Sequence, residues 1–277
     1  MTQGRMFEEL WRDARRVRYK DVLTAVVTTK GMLDVDTVKG CSAGMRAYPN
    51  GGCYGVCYAA KIARSHGVDF ATSVTRTAKA DSERRAVERA VKKAPQGVFR
   101  VGTMGDPCHD WEATVETVEW LSRYARPVIV TKHWTAMDDR QIRRLVAVEA
   151  VLNTSVSALD TSAELGYRLL QRARYLDAGG HSVLRIVSCK YVETNEHGRT
   201  LAGIQRGLFA LAPVIDNPIR LTWRDRLTGS GLICVDERQD LTAVRVVSVA
   251  NDAYLGHCRQ CTDLCGVALA KGVRNGT

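Results

Sequence analysis

Apolar and polar positions along this chain follow two rhythms, one helical and one strand-like. Phe7, Leu10, Trp11 and Ala14 recur at helical spacing and predict a helix over 6–18. Residues 32–38 (MLDVDTV) alternate apolar and polar, which predicts a strand. A long glycine-rich loop follows over 39–57, then helical patterns at 58–65 and 81–94, the second with Asp81 and Ser82 as caps. From residue 98 the two rhythms alternate. Strands are predicted at 98–104, 127–131, 150–157, 182–189 and 215–223, separated by helices at 111–124, 138–146, 162–178 and 201–211. Such repetition calls for a parallel sheet covered by helices. Counting the stretch at 33–38, six strands are expected, enough for a partial barrel or a doubly wound sheet, and periodicity does not choose between them. From about Arg226 the pattern becomes a short hairpin-like stretch and then a compact cysteine cluster. The chain thus divides into an α/β part over 1–225 and a small C-terminal extension over 226–277.

Composition narrows the class. Over 277 residues, 45% are hydrophobic and 25% charged, close to the globular average, which excludes disordered and fibrous classes. No run of eighteen apolar residues exists, so no transmembrane helix is expected, and the N-terminus has no apolar signal-peptide core. A cytoplasmic, reducing location follows as an expectation. Nine cysteines there read as thiolate ligands or reactive thiols rather than disulfides. Forty Lys and Arg against thirty Asp and Glu give a net charge of +10, which suits a polyanionic partner such as nucleic acid. Two basic clusters stand out: Arg12, Arg15, Arg16, Arg18 and Lys20, and Arg84, Arg85, Arg89, Lys92 and Lys93. Either can equally be a solvated helix face.

The candidate chemistry lies in the cysteines. Cys41, Cys53 and Cys57 share one loop between the first strand and the next helix, with glycines at 40, 44, 51, 52 and 55. In parallel α/β folds the loops at the C-terminal ends of strands carry the chemistry. Glycines there let backbone amides approach sulfur. Three thiolates leave one position of a metal centre open, as a catalytic iron–sulfur cluster requires. A zinc site completed by His66, or three unrelated cysteines, are the alternatives. Cys258, Cys261 and Cys265, beside His257, form a second dense array that suits either zinc or an auxiliary iron–sulfur cluster. Cys108, Cys189 and Cys234 read as buried structural thiols. Cys108 and Cys189 lie at predicted strand ends, which makes them candidates for a hydrogen-atom relay.

The order of these motifs resembles the radical S-adenosylmethionine (SAM) superfamily: strand, three-cysteine loop, helix, then a glycine-bearing strand end. Gly102-Thr-Met-Gly-Asp-Pro107, Val130-Thr-Lys132, and Asn153-Thr-Ser-Val-Ser157 with Leu159-Asp160, Arg168, Ala178-Gly179 and Arg185 resemble the branch that contains spore photoproduct lyase. Phage enzymes that hypermodify thymine are similar. The resemblance covers roughly residues 33–220. The superfamily spacing is C-x3-C-x2-C, whereas here it is C-x11-C-x3-C, and Tyr54 is taken as the aromatic neighbour.

The resemblance implies a fold, cofactors and roles. The fold is a partial (β/α)6 TIM-like barrel with an N-terminal helix and a small cysteine-rich metal segment. Cys41, Cys53 and Cys57 bind three irons of a 4Fe-4S cluster, and SAM chelates the fourth. Reductive cleavage of SAM yields a 5′-deoxyadenosyl radical that abstracts hydrogen from substrate. Gly102, Thr103 and Asp106 line the methionine end of SAM. Asn153, Ser155 and Ser157 share one strand face and, with Arg185, contact its ribose or carboxylate. Lys132, with His133, reaches cofactor or substrate. The implied substrate is a thymine-derived base in DNA, or a modified nucleotide. The implied partner is a reductant such as flavodoxin or ferredoxin, in a bacterial or phage-infected cell. Two other readings stay open: a radical SAM enzyme acting on a peptide or small molecule, and a zinc-bearing nucleic-acid-binding protein without catalysis.

Overall fold

The computed structural model describes residues 22–46, 53, 57–221, 225–234, 238–239, 245–246, 248, 250–251 and 253–272. The helix expected at 6–18, its basic cluster and Tyr54 lie outside them. The core is a seven-stranded sheet: β1 (Ala25–Val27), β2 (Leu33–Val35), β5 (Val98–Val101), β6 (Arg126–Thr131), β7 (Val151–Val156), β8 (His181–Ile186) and β9 (Val214–Asp216), adjacent in that order. Within this sheet β2 to β9 are parallel, and β1 runs antiparallel at the edge. β1 was not expected from the pattern. It forms because a short β-branched run is turned back by Thr28–Gly31, with Gly31 at φ +81. Outside the main sheet, β3 (Val38–Lys39) pairs with β4 (Val74–Thr75), and β10 (Arg238–Gln239) pairs with β11 (Arg245–Val246).

The six parallel strands stand side by side in chain order, without the reversal that defines a doubly wound sheet. Helices return the chain between them: α3 (Asp81–Lys92) before β5, then α4 (Trp111–Ser122), α5 (Asp139–Ala147), α6 (Ser162–Asp177) and α7 (Glu196–Phe209). α7 starts five residues earlier than its apolar pattern suggests, because Asn195 caps it by accepting from the Gly198 N–H. The strand expected to run to 104 stops at Val101. The one expected over 215–223 shortens to β9.

Alternation gives each strand two faces. Leu33, Val35, Phe99, Val101, Ile129 and Leu152 pack against Val115, Val118, Leu121, Ile142 and Leu145 of α4 and α5. Met32, Val98, Val128, Val151, Val183 and Ile215 pack on the other face, with Val267, Leu264 and Leu269 of the tail laid over them. Every residue of β7 is buried, as expected of a central parallel strand covered on both sides. At ~1.5–3 kcal/mol for each fully buried aliphatic side chain, these two layers supply the main driving force of the fold. Among the described residues no helix is long and apolar enough to cross a membrane.

Candidate functional site

The three-cysteine loop follows β3, beyond the C-terminal end of β2, where Gly40 bridges to Gly105 after β5. Gly40 sits at φ +80 with its Cα against the Thr72 carbonyl, a position that excludes any side chain. The Cys41 N–H then donates to the Phe70 carbonyl (2.8 Å), fixing where the first thiol begins. A short helix, α1 (Ser42–Arg46), follows where only loop was expected. Gly44 lies under the sulfurs: a Cβ there would stand 2.9 Å from Cys41 Sγ and 3.2 Å from Cys53 Sγ, and its N–H donates to Cys41 Sγ (3.3 Å). Cys57 immediately precedes α2 (Tyr58–Ser65), so the first amides of that helix point at its sulfur.

Electrostatics tie the three thiols into one group. The hydrogen bond that Cys53 donates to Cys57 is foremost in raising the Cys53 thiol. The same bond holds Cys57 down, to about 7, aided by the Ala59 and Ala60 amides. Burial pushes Cys41 up, with Asp106 and Cys53 adding to it. His109 Nε2 stands 3.4 Å from Cys41 Sγ, and Ala59, Ala60, Ala63, Phe70, Met45, Met104 and Trp134 wall the group off. Among the described residues, no three His, Cys, Asp or Glu side chains are drawn close enough to hold a single metal ion.

Beside this loop the Gly102–Pro107 turn is organised by two buried acids. Asp36 Oδ1 accepts the N–H groups of Gly102 (3.2 Å), Thr103 (2.6 Å) and Met104 (3.1 Å). Burial, then the neighbouring Asp34 carboxylate, raises its pKa from 3.8 to about 6. Gly102 itself is at φ +97 and backs onto the Val130 carbonyl, so the turn needs glycine there. Asp106 accepts from the Cys108 N–H (3.1 Å), the Thr131 hydroxyl (2.7 Å) and the Lys132 N–H (2.8 Å), clamping the ends of β5 and β6 together. Both carboxylates therefore shape the turn through the backbone.

The other predicted residues do not gather on one face of the sheet. Lys132 Nζ lies 3.4 Å from Asp160, which also pairs with Arg168. His133 is buried at φ +51, with Nε2 3.1 Å from the Thr154 hydroxyl, and burial lowers it to about 4, so its ring is neutral. Ser155 is in register with Arg185, whose Nη2 donates to Asn217 Oδ1 (2.7 Å). The Ser157 N–H donates to Asp160 (2.8 Å). Asn153 turns away from the cysteine loop and donates to the Cys265 carbonyl in the tail (2.9 Å). Cys108 belongs to the layer under the helices, and Cys189 to a separate apolar cluster with Tyr191 and Leu201. Burial raises both thiols, Cys189 to about 12, so each keeps its S–H hydrogen. In the second cysteine group, Cys258 lies near both Cys261 and Cys265, and its N–H donates to the Lys30 carbonyl ahead of β2, at the opposite end of the strands.

No family model, no curated protein and no solved structure matches the chain. The site therefore rests on its own geometry.

Three residues were passed over in the sequence. Asp34 and Asp36 occupy the polar positions of the first strand. Arg100, a lone charge in the apolar run VFRV, forms a two-pronged ion pair with Asp34 (2.9 and 3.0 Å). A single charge in an apolar strand was the available signal. The basic cluster on α3 behaves partly as a helix face: Arg84 lies 4.3 Å over the Trp120 ring and Lys92 4.6 Å over Tyr124.

Proposed function

We propose that this chain is a radical SAM enzyme whose in-order parallel strands form a partial (β/α)6 barrel, and that it acts on a thymine-derived base in DNA. One observation carries the reading: three thiols gather on a glycine-lined loop at the C-terminal ends of a parallel sheet ordered as in the chain. The donor set fits a four-iron cluster. Three soft thiols neighbour one another, an alanine at position 44 would intrude on two of the sulfurs, and backbone amides from Gly44, Ala59 and Ala60 face sulfur. When bound, the cluster and SAM supply a 5′-deoxyadenosyl radical for hydrogen abstraction.

The chain's own residues bind, orient and enclose. Cys41, Cys53 and Cys57 hold the cluster. Asp36 keeps the Gly102–Met104 turn rigid, so that Gly102 and Thr103 present a fixed edge to the methionine end of SAM. Ser155, Ser157, Lys132 and Arg185 offer polar contacts along the inner face, and Asp106 fixes the strand ends from which Lys132 projects. Phe70, Met104 and Trp134 exclude water from the sulfurs. The net charge of +10 favours a polyanionic substrate, and a base must leave its stack to reach an enclosed site. A flavodoxin or ferredoxin of the cytoplasm would be the electron donor.

The test is anaerobic purification followed by SAM cleavage under strong reductant. The protein is expected to be brown and to release 5′-deoxyadenosine. The Cys41→Ala/Cys53→Ala/Cys57→Ala protein is expected to be colourless at that site and inert. Continued 5′-deoxyadenosine release by the triple variant would overturn the assignment.

A further inference from the structure

On the sheet face turned away from the helices, side chains stand in layers. The lowest layer is apolar: Met32, Val98, Val128, Val151, Val183 and Ile215, covered by Leu264, Val267 and Leu269 of the tail. The tail is stitched there by the Cys258 N–H on the Lys30 carbonyl (2.8 Å), Gln96 Nε2 on the Arg259 carbonyl (2.6 Å) and Asn153 on the Cys265 carbonyl (2.9 Å). It forms a plug in the N-terminal mouth of the sheet. Two residues further along each strand, alternation brings up the next layer. That layer is polar on every strand but β6: Asp34, Arg100, Asn153, Arg185 and, just past β9, Asn217.

The charges of this layer do not cancel. Arg100 has the Asp34 carboxylate, in its two-pronged pair. Arg185 is half-buried, and its Nη2 donates to the neutral amide of Asn217 (2.7 Å). Among the described residues no carboxylate forms an ion pair with it. Arg100 and Arg220 both stand near enough to repel it, and burial first, then those two charges, press its pKa below the ordinary arginine value. On the same face, Asn153 is fully buried, and its Oδ1 accepts no hydrogen bond among the described residues. A cation held away from water without a counter-charge costs the fold stability, which an arriving anion returns.

Position tells which molecule carries the anion. The plug closes the N-terminal side of the layer. On the other side Tyr58, next to Cys57 and fixed by its hydroxyl on the Thr103 carbonyl (2.7 Å), lies near both Arg100 and Arg185. The polar layer is therefore a floor beneath the cysteine loop. β8 stands three places along the sheet from β5, whose Gly102–Thr103 turn meets the methionine end of SAM in the proposed reading, so Arg185 is left for the other reactant. We infer that Arg185, flanked by Arg100 and Arg220 on this floor, docks an oxyanion carried by the substrate, a phosphate or a carboxylate. Calling the carrier the substrate rests on the function proposed for the loop, whereas the oxyanion site itself uses none of the three loop cysteines.

The experiment compares anaerobic full-length wild type with Arg185→Met in two arms. The first follows thermal unfolding in sodium phosphate, acetate or chloride at equal ionic strength. Phosphate or acetate is expected to raise the wild-type midpoint over chloride by about 2–4 °C more than it raises that of Arg185→Met. Equal rises would overturn the proposal. The second arm titrates thymidine, thymidine 5′-monophosphate and thymidine bearing a carboxylate on its methyl, each by calorimetry. One charged form is expected to bind about tenfold or more tightly than thymidine, a preference lost in Arg185→Met, and which form it is names phosphate or carboxylate. A fall in SAM affinity in Arg185→Met would hand the oxyanion to SAM and overturn the assignment to substrate. A difference in the first arm without any nucleoside preference would support the oxyanion site and count against thymine as the substrate, so the two readings fail separately. Where Arg185→Met does not fold, Arg185→Gln, which keeps a polar group for Asn217, carries both arms.

Discussion

Replacing Asp36 separates what its charge does from what its oxygen does. The carboxyl is buried, and its pKa moves from 3.8 to about 6 because burial and Asp34 oppose ionisation more than the amides of Thr103 and Met104 favour it. At ~1.4 kcal/mol per pH unit, ionised Asp36 costs the fold about 3 kcal/mol near neutral pH. The sign follows from the raised value. The protonated form is the stable one, so its contribution is fully present below about pH 4 and is lost as pH rises through about 6. Asp36→Asn keeps an oxygen for the Gly102, Thr103 and Met104 amides and removes the charge. Asp36→Ala leaves three half-buried N–H groups without this acceptor, at up to ~1–3 kcal/mol each. Urea unfolding under anaerobic conditions at several pH values reads the difference. Relative to wild type, Asp36→Asn is expected to gain stability progressively between pH 4 and 7, by about 1 M urea in midpoint at a slope of roughly 3 kcal/mol/M. Asp36→Ala is expected to fall well below wild type throughout. A pH-independent difference for Asp36→Asn, or a loss as large as that of Asp36→Ala, would refute the reasoning.

Four further outcomes are expected. Gly44→Ala puts a methyl 2.9 Å from Cys41 Sγ and 3.2 Å from Cys53 Sγ, so iron content and 5′-deoxyadenosine release should fall together while the circular dichroism of the sheet is kept. Asp34→Asn strips Arg100 of its two-pronged partner and is expected to cost about 3–5 kcal/mol, read as a lowered unfolding midpoint. DNA binding should weaken steeply with salt, and charge reversal of Arg12, Arg15, Arg16 and Arg18 should flatten that slope by about 0.9 for each phosphate no longer neutralised. With DNA deuterated on the thymine methyl or its substituent, deuterium should appear in 5′-deoxyadenosine or in SAM. Transfer from a peptide instead would move the substrate away from DNA.

The sequence by itself determined the parallel α/β class and the existence of most elements, because hydrophobic period is a local property and parallel strands need covering helices. It also singled out both cysteine groups, since spacing and glycine content can be read without a fold. Strand ends were a different matter. The stretch at 98–104 reads as one strand, yet it stops at Val101 because the next three amides are taken by Asp36, sixty-six residues away from Gly102. Strand order was equally out of reach: alternation is compatible with sequential and reversed sheets, and only tertiary pairing shows that the parallel strands stand in chain order. Alternation put Asn153, Ser155 and Ser157 on one face but not at one end. Tertiary packing sent Asn153 to the plug at the N-terminal mouth and left Ser155 and Ser157 higher on the strand. The docking of the tail under the sheet, and with it the encounter of Cys265 with Arg100 and Arg185, depends on residues as distant in the chain as Asn153 and Cys265. No local pattern encodes such pairings, because each side chain's partner is chosen only when the layers close.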